Sequence, residues 1–236
     1  MTDPLIVLPG FMADARGFMP QIVDLGADRP VTVILPNSAE TVEQMSLAAL
    51  PALPPRFALL GHGLGGDVAL DILRRAPERV SRIALVSTDP LAEPPAVAAS
   101  REARLVTARA GRLAEALAQD LPATALAATE WRGEVLALCA DMALRLGLAS
   151  YIRQTRALQR RPDQQKTLRK LRLPALILAG AEDRLVPPRR QEFLAGLMPL
   201  ARFESIVEAG HVPQLEQPDT VTAALRSFLA GPLLLR

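Results

Sequence analysis

Residues 57–75 read FALLGHGLGGDVALDILRR, and this stretch decides the fold. It begins with the apolar run Phe57 to Leu60, which is typical of a strand buried on both faces in a parallel sheet. Four glycines lie within the next six residues, and Leu64, Val68 and Ile72 recur at helical spacing. The stretch therefore predicts a buried strand, a tight glycine turn and an amphipathic helix.

Similar short apolar runs lie on both sides of this stretch. They are Leu5 to Leu8, Val31 to Leu35, Ile83 to Val86 and Leu176 to Ala179, with a weaker run from Arg202 to Val207. Helical patterns separate these runs, and alternating strands and helices indicate a parallel sheet covered by helices. We therefore predict an α/β fold with a mostly parallel sheet of about six strands and with helices on both faces.

The alternation of strands and helices stops between residues 91 and 170. This stretch is rich in Ala, Leu and Arg, contains no strand-like run, and reads as amphipathic helices from Glu102 to Ala118 and from Glu134 to Arg161. We predict that residues 91–170 form a helical insertion in an α/β core made of residues 1–90 and 171–236.

The composition narrows the class of protein. Half of the 236 residues are apolar and 22% are charged, which excludes a disordered chain, and the net charge of +2 gives no reason to expect nucleic acid as a partner. The single cysteine, Cys139, excludes an internal disulfide, and two histidines with one cysteine are too few for a His/Cys zinc site.

No apolar run reaches the roughly 18 residues of a membrane-spanning helix, and the N-terminus lacks the pattern of a signal peptide. We therefore expect a cytoplasmic protein with no membrane partner.

Four segments together resemble a known family. The pentapeptide Gly61-His62-Gly63-Leu64-Gly65 resembles the nucleophile elbow G-x-S-x-G of the α/β-hydrolases, with Gly63 at the position of the nucleophilic serine. Leu8-Pro9-Gly10-Phe11 resembles the family's oxyanion loop, residues 179–187 (AGAEDRLVP) resemble its acid segment, and residues 209–213 (AGHVP) resemble its histidine loop. The order elbow, acid, histidine is also the order that this family shows.

The resemblance implies a role for each of these positions. Gly63 would stand in the nucleophile position, Asp183 would be the acid, and His211 would be the base that the acid orients. The backbone N–H groups of Phe11 and Leu64 would form the oxyanion hole.

The resemblance also implies a substrate class. Met12 and His62 would border the substrate, and the insertion of residues 91–170 would be a cap over the site. The substrate would be a small to medium carboxylic ester, thioester or lactone, with no metal and no organic cofactor. No heptad pattern is present, so the sequence does not predict an oligomeric state.

Two questions about the site stay open at this point. Asp89, which follows the strand-like run Ile83 to Val86, is an alternative acid to Asp183. Gly63 has no side chain and cannot attack a carbonyl group, so this chain is either a Ser-to-Gly variant of an enzyme or a protein that naturally carries glycine there. The glycine at position 63 leaves three alternative functions. They are acyl transfer that has lost its nucleophile, ligand binding without catalysis, and direct activation of water by His211 and Asp183.

Three further side-chain environments can be predicted from spacing and composition. Asp71 and Arg75, at i and i+4 of a helix, predict a surface ion pair. The basic run Arg160 to Arg172 predicts a solvated helix face. Cys139 lies in an apolar helical stretch and is expected to be buried and inert.

Overall fold

Six parallel strands form one sheet in the order β2-β1-β3-β4-β5-β6. The structure is a computed structural model that describes residues 2–232. The strands are β1 (Leu5–Leu8), β2 (Val31–Val33), β3 (Phe57–His62), β4 (Val80–Val86), β5 (Ala175–Gly180) and β6 (Ala201–Ile206). The predicted parallel sheet is confirmed, and each strand overlaps the apolar run from which it was predicted.

Helices cover both faces of this sheet, as predicted. They are α1 (Met19–Gly26), α2 (Val42–Ala49), α3 (Leu64–Arg75), α4 (Pro95–Arg109), α5 (Leu113–Asp120), α6 (Arg132–Gln159), α7 (Gln165–Leu168), α8 (Pro188–Leu197), α9 (Pro213–Glu216) and α10 (Pro218–Ala230). Neighbouring residues of β3 point to opposite faces, so Leu59 packs with α2, α3 and α8, whereas Leu60 packs with α1 and α10. Burial on both faces explains the unbroken apolar run of β3.

The chain between β4 and β5 contains α4 to α7 and, among residues 87–174, no strand. The expected single helix from Glu102 to Ala118 is wrong, because the chain forms α4 and α5 with a break between them. Gly111 lies in this break with φ of 84°, a left-handed conformation that ends the first helix. Likewise α6 is not regular throughout, because Gly147 adopts φ of 75° and ψ of 178° within it.

The sequence showed no membrane-spanning run, but the structure contains a long apolar helix, α6. In the described part of the chain it is the one helix that is long and apolar enough to do so by length and composition, and 28% of its most apolar window is buried. Asp141 and Arg145 interrupt its apolar residues, which is why the sequence alone showed no continuous run. One side of α6 packs against α4, α5 and α9, so this helix is part of the folded domain.

Two predictions of exposed charged groups are wrong, because Asp71 is buried and Arg161 is largely buried. Asp71 has no exposed surface because α2 packs over this face of α3, and it accepts hydrogen bonds from Ser46, Arg74 and Arg75. Burial would raise the pKa of Asp71, but these hydrogen bonds outweigh it and hold the pKa below 3.8. The expected solvated face from Arg160 to Arg172 is also wrong at Arg161, whose side chain is only 10% exposed.

Arg161 lies near a buried carboxyl group on the first turn of α3. Its Nη1 atom is 3.8 Å from Asp67 Oδ2, and no group among the described residues hydrogen-bonds that oxygen. Burial raises the pKa of Asp67 to about 7, and the attraction of Arg161 offsets only part of this effect. Between pH 3.8 and about 7 the folded protein therefore holds a proton that the unfolded chain releases.

The Asp67→Asn substitution should remove this pH dependence. Because the folded state binds the extra proton, the free energy of unfolding of the parent falls as the pH rises through this range. We expect the variant to match the parent near pH 4 and to be more stable by roughly 2–4 kcal/mol at pH 8. Urea unfolding at both pH values measures the difference, with the exposed Asp219→Asn as the control. An equal difference at the two pH values would contradict the prediction.

Candidate active site

The turn between β3 and α3 keeps the geometry of a strained elbow. Gly63 has φ of 49° and ψ of −116°, a conformation that side chains resist. The neighbouring glycines are required by close packing, because a Cβ on Gly65 would lie 2.0 Å from the Leu8 carbonyl oxygen and one on Gly61 would lie 2.7 Å from the Gly65 carbonyl oxygen. Gly63 differs, since a Cβ there would meet only the Ser87 carbonyl oxygen, at 3.9 Å. This position therefore has room for a side chain.

His211 and Asp183 come together from different loops. The His211 Nδ1 atom lies 3.1 Å from Asp183 Oδ2 and 3.2 Å from Oδ1. Asp183 follows β5, is almost fully buried, and accepts N–H groups from Leu185 and Val186 at 2.9 Å each. Burial would raise the pKa of Asp183, but His211 and these N–H groups outweigh it and hold the pKa below 3.8. The carboxylate stays ionised and contacts Nδ1 of the ring, and no group among residues 2–232 hydrogen-bonds Nε2.

His62 packs directly against this pair. Its Nε2 atom lies 2.9 Å from the His211 carbonyl oxygen, so Nε2–H donates to that oxygen, and the two rings are 5.2 Å apart. Burial and the nearby His211 ring lower the pKa of His62 to about 3, so His62 is neutral. It borders the cavity, and its hydrogen bond holds the backbone of the His211 loop.

Two residues at the border of the cavity, Phe11 and Leu64, have backbone N–H groups without an acceptor in residues 2–232. Leu64 is the first residue of α3, so its N–H has no partner within the helix, and no group among residues 2–232 accepts the N–H of Phe11. Gly63 borders the same cavity. The N-terminus of α3 adds the positive end of the helix dipole, which favours a negative charge at this place.

Asp89, the alternative acid, is engaged elsewhere. Its Oδ2 atom lies 2.6 Å from Arg190 Nη1 and 3.4 Å from Arg161 Nη2, and its Oδ1 atom accepts the N–H of Leu91. His211 contacts Asp183 instead. Of the two aspartates, the geometry brings only Asp183 to the imidazole ring.

Sequence reasoning missed Glu216, which holds the histidine loop. Its buried carboxylate accepts the N–H groups of Gly210 at 2.9 Å, Val212 at 3.1 Å and Ala127 at 2.7 Å. Burial raises its pKa, and the three N–H groups oppose that effect. An acidic residue in the apolar context of residues 212–216 (VPQLE) was the available signal, since a carboxylate there needs partners.

A strained serine, Ser87, lies at the end of β4. It has φ of 44°, is fully buried, and its Oγ atom has no hydrogen-bond partner among the described residues. Ser87 lies beside Gly63 and borders the cavity. The spacing of residues could not show that this residue is strained.

These groups border a cavity of about 820 Å³. Apolar side chains of the helical segment, residues 91–170, form much of its wall, among them Leu117, Leu136 and Met142. The predicted substrate neighbour Met12 also borders it.

Cys139 lies on this wall and is only half-buried, which corrects the expectation of full burial. Its burial is still enough to raise the pKa of the thiol to about 12. Across residues 2–232 no three His, Cys, Asp or Glu side chains are grouped so that they could hold a metal ion. The site can hold a carbonyl compound between an imidazole ring and two N–H donors.

Comparisons with known proteins show which family and fold the chain is similar to. The model of a family described as the alpha/beta hydrolase family matches residues 5–225. A pimeloyl-acyl-carrier-protein methyl ester esterase of Aromatoleum aromaticum is 30% identical over 208 residues, which cover 83% of each chain. A protein of the same description from Neisseria meningitidis serogroup A is 28% identical over 96% of this chain and 77% of the relative.

Solved structures give the same fold. A thermophilic esterase from Thermogutta terrifontis, with malate bound, has a TM-score of 0.85 and 26% identity, covering 96% of this chain and 89% of the other. An enol-lactonase from Burkholderia xenovorans has a TM-score of 0.86 and 23% identity, covering 98% of this chain and 93% of the other, and supports the fold alone.

Proposed function

The chain belongs to the alpha/beta hydrolase family, and from that premise we propose that it binds a small to medium carboxylic ester, thioester or lactone and hydrolyses it slowly by direct activation of water. The observation that carries this proposal is that the His211–Asp183 pair and the open position 63 belong to one site, since His211 and Gly63 border the same cavity. Where the family motif has a serine, Gly63 leaves space in which a water molecule fits.

The proposed reaction needs no covalent intermediate. His211 Nε2 takes a proton from water while the water oxygen attacks the carbonyl carbon, and Asp183 stabilises the resulting imidazolium ring. The N–H groups of Phe11 and Leu64 hold the negative oxygen of the tetrahedral intermediate. The intermediate collapses, the leaving alkoxide takes the proton from His211, and the carboxylic acid and the alcohol are released.

This mechanism predicts a slow enzyme. Loss of the nucleophile from a triad costs about 10⁶ in turnover, and the remaining oxyanion hole and binding contacts still give about 10³ over water. Direct attack by water keeps the base and the oxyanion hole but not the acyl-enzyme step. The rate should therefore lie well below that of a relative with an intact triad.

Several features support an acyl substrate. The cavity wall is largely apolar, which suits the chain of an acyl group, and two relatives are described as methyl ester esterases of a pimeloyl group on acyl carrier protein. Methyl esters of medium-length acyl chains are thus the first substrates to test.

Residues 91–170 complete this proposal as a cap on the α/β core of residues 1–90 and 171–236. Side chains of that segment border the cavity and shape its apolar wall. The single cysteine of the chain supports a place in the reducing cytoplasm.

A second candidate function is ligand binding without catalysis. The glycine at position 63 favours it, because a side chain is sterically possible there and the strained backbone would be relieved by glycine in a protein that no longer needs a nucleophile. Both functions use the same cavity.

Substitution of His211 by alanine separates these two functions. If His211 activates water, the parent protein hydrolyses a methyl ester slowly, and His211→Ala reduces this rate by about 10² or more to the level of the buffer. Product release over hours, measured by liquid chromatography, gives both rates. An unchanged rate in His211→Ala contradicts the water mechanism, and ester binding without hydrolysis by the parent supports the binding protein.

A further inference from the structure

The loop after β1 contains a strained residue next to the proposed oxyanion donor. The N–H of Ala13 donates to the Gly10 carbonyl oxygen at 3.2 Å, which closes a tight turn around Phe11 and Met12. Within this turn Met12 has φ of 52°, a left-handed conformation that residues with side chains avoid. The turn therefore needs contacts from outside the loop to keep this shape.

The helical segment supplies several of those contacts, in addition to the packing of Phe11 on the core of the sheet. Gln154, on α6, accepts the N–H of Met12 with its Oε1 atom at 2.6 Å, and both residues are buried. The ring of Tyr151, one turn earlier on α6, packs edge-on against Phe11 with the centroids 5.7 Å apart. The Arg101 guanidinium lies 5.9 Å from the Phe11 ring centroid.

The two adjacent N–H groups of this turn differ in whether they have an acceptor. The N–H of Met12 is taken by Gln154, whereas the N–H of Phe11 has no acceptor in the described part of the chain. We propose that Gln154 is a positioning residue, which fixes Met12 in the left-handed conformation and so aims the Phe11 N–H at the substrate oxygen. This inference rests on the proposed function, because it assigns the Phe11 N–H to the oxyanion hole.

The polarity of Gln154 supports a role of this kind. Its Nε2 atom is buried and has no hydrogen-bond partner among the described residues. A buried amide N–H group without a partner is unfavourable, and an apolar side chain of similar length would avoid it. The one hydrogen bond that the amide makes is the one that holds Met12.

Hydrogen exchange tests the contact without any need for catalysis. In the parent protein, Gln154→Met removes the acceptor but keeps the length of the side chain, so the Met12 amide should exchange about tenfold faster or more. Gln154→Glu keeps an acceptor atom and should protect this amide like the parent. Gln159→Met, on the same helix and away from the loop, is the matched control and should leave Met12 unchanged.

Kinetics in the Gly63→Ser background test the consequence for catalysis. A misplaced oxyanion donor weakens binding of the transition state but not of the ester, so Gln154→Met should lower kcat by about 10- to 100-fold and leave KM within about threefold. Gln154→Glu should recover most of kcat, and Gln159→Met should not change it. A purely structural role would change KM and the unfolding temperature along with kcat.

Each result decides the proposal. Unchanged exchange at Met12 in Gln154→Met overturns it, and so does faster exchange with an unchanged kcat in an active Gly63→Ser protein. If a folded Gly63→Ser protein has no activity, position 63 is not the nucleophile position, whereas failure of the proposed function shows in His211→Ala; in either case exchange at Met12 decides whether Gln154 holds the turn.

Discussion

Replacing Gly63 with serine is expected to raise the rate of ester hydrolysis by about 10³-fold or more over the parent chain. A hydroxyl at this position would restore the nucleophile in a cavity whose base is already oriented, since His211 borders the same cavity and contacts the ionised Asp183. The reaction would then proceed through an acyl-enzyme, whose accumulation gives a burst of alcohol in the first turnover.

The structure gives a physical reason to expect that serine fits. The added Cβ would meet only the Ser87 carbonyl oxygen, at an ordinary contact distance of 3.9 Å. The backbone conformation at position 63 would be strained by about 1–3 kcal/mol, so the variant should unfold at a slightly lower temperature. Burst kinetics and thermal unfolding measure both effects.

Gly63→Ala is the matched control, because it adds the same Cβ and the same strain but no hydroxyl. It should show no gain in rate and no labelling by a serine-directed phosphonate. In Gly63→Ser the label should appear on the peptide that contains position 63. A label on Ser87 instead, or a folded but silent Gly63→Ser protein, would contradict the assignment of the elbow.

In that active background, Asp183→Asn is expected to lower kcat by about 10⁴-fold. The carboxylate accepts the Nδ1–H of His211 and so keeps Nε2 free to take the proton of the nucleophile. An asparagine keeps the shape and can still accept the N–H groups of Leu185 and Val186, but it does not stabilise the imidazolium ring. Steady-state kinetics, with circular dichroism to verify folding, measure the effect.

The comparison with Asp89→Asn distinguishes the two candidate acids. Asp89 is bound to Arg190 and Arg161, so its replacement should change stability more than the chemical step. If Asp89→Asn gave the larger loss of kcat, Asp183 would not be the catalytic acid.

The sheet was predictable because its strands are buried on both faces. Burial on two faces favours apolar residues in a strand, so β1, β3, β5 and the second half of β4 contain short apolar runs, whereas the first half of β4 includes the buried Ser81 and Arg82. The glycine turn was equally visible, since Gly61 and Gly65 have neighbours that leave no room for a Cβ. Close packing of this kind requires apolar residues or glycine, so it can be recognised in the sequence.

The environment of individual polar side chains was not predictable in this way. Asp71 and Arg75 have the spacing of a surface pair, and only the packing of α2 on α3 buries the carboxylate. The Glu216 carboxylate accepts the N–H groups of Ala127 and Gly210. Ala127 is 89 residues away in the sequence, and no sequence pattern marks Gly210 as its partner. The break at Gly111 likewise depends on a backbone angle that glycine permits but does not require.

The close packing of Gly61 and Gly65 on backbone atoms, with an open position between them, has a consequence for the evolution of this chain. The turn is held by its neighbours whether or not residue 63 carries a hydroxyl, and codons for glycine and serine can differ by a single base. One point mutation could therefore exchange the two states while the scaffold stays folded. Lineages of such proteins can lose and regain catalysis without passing through a misfolded ancestor.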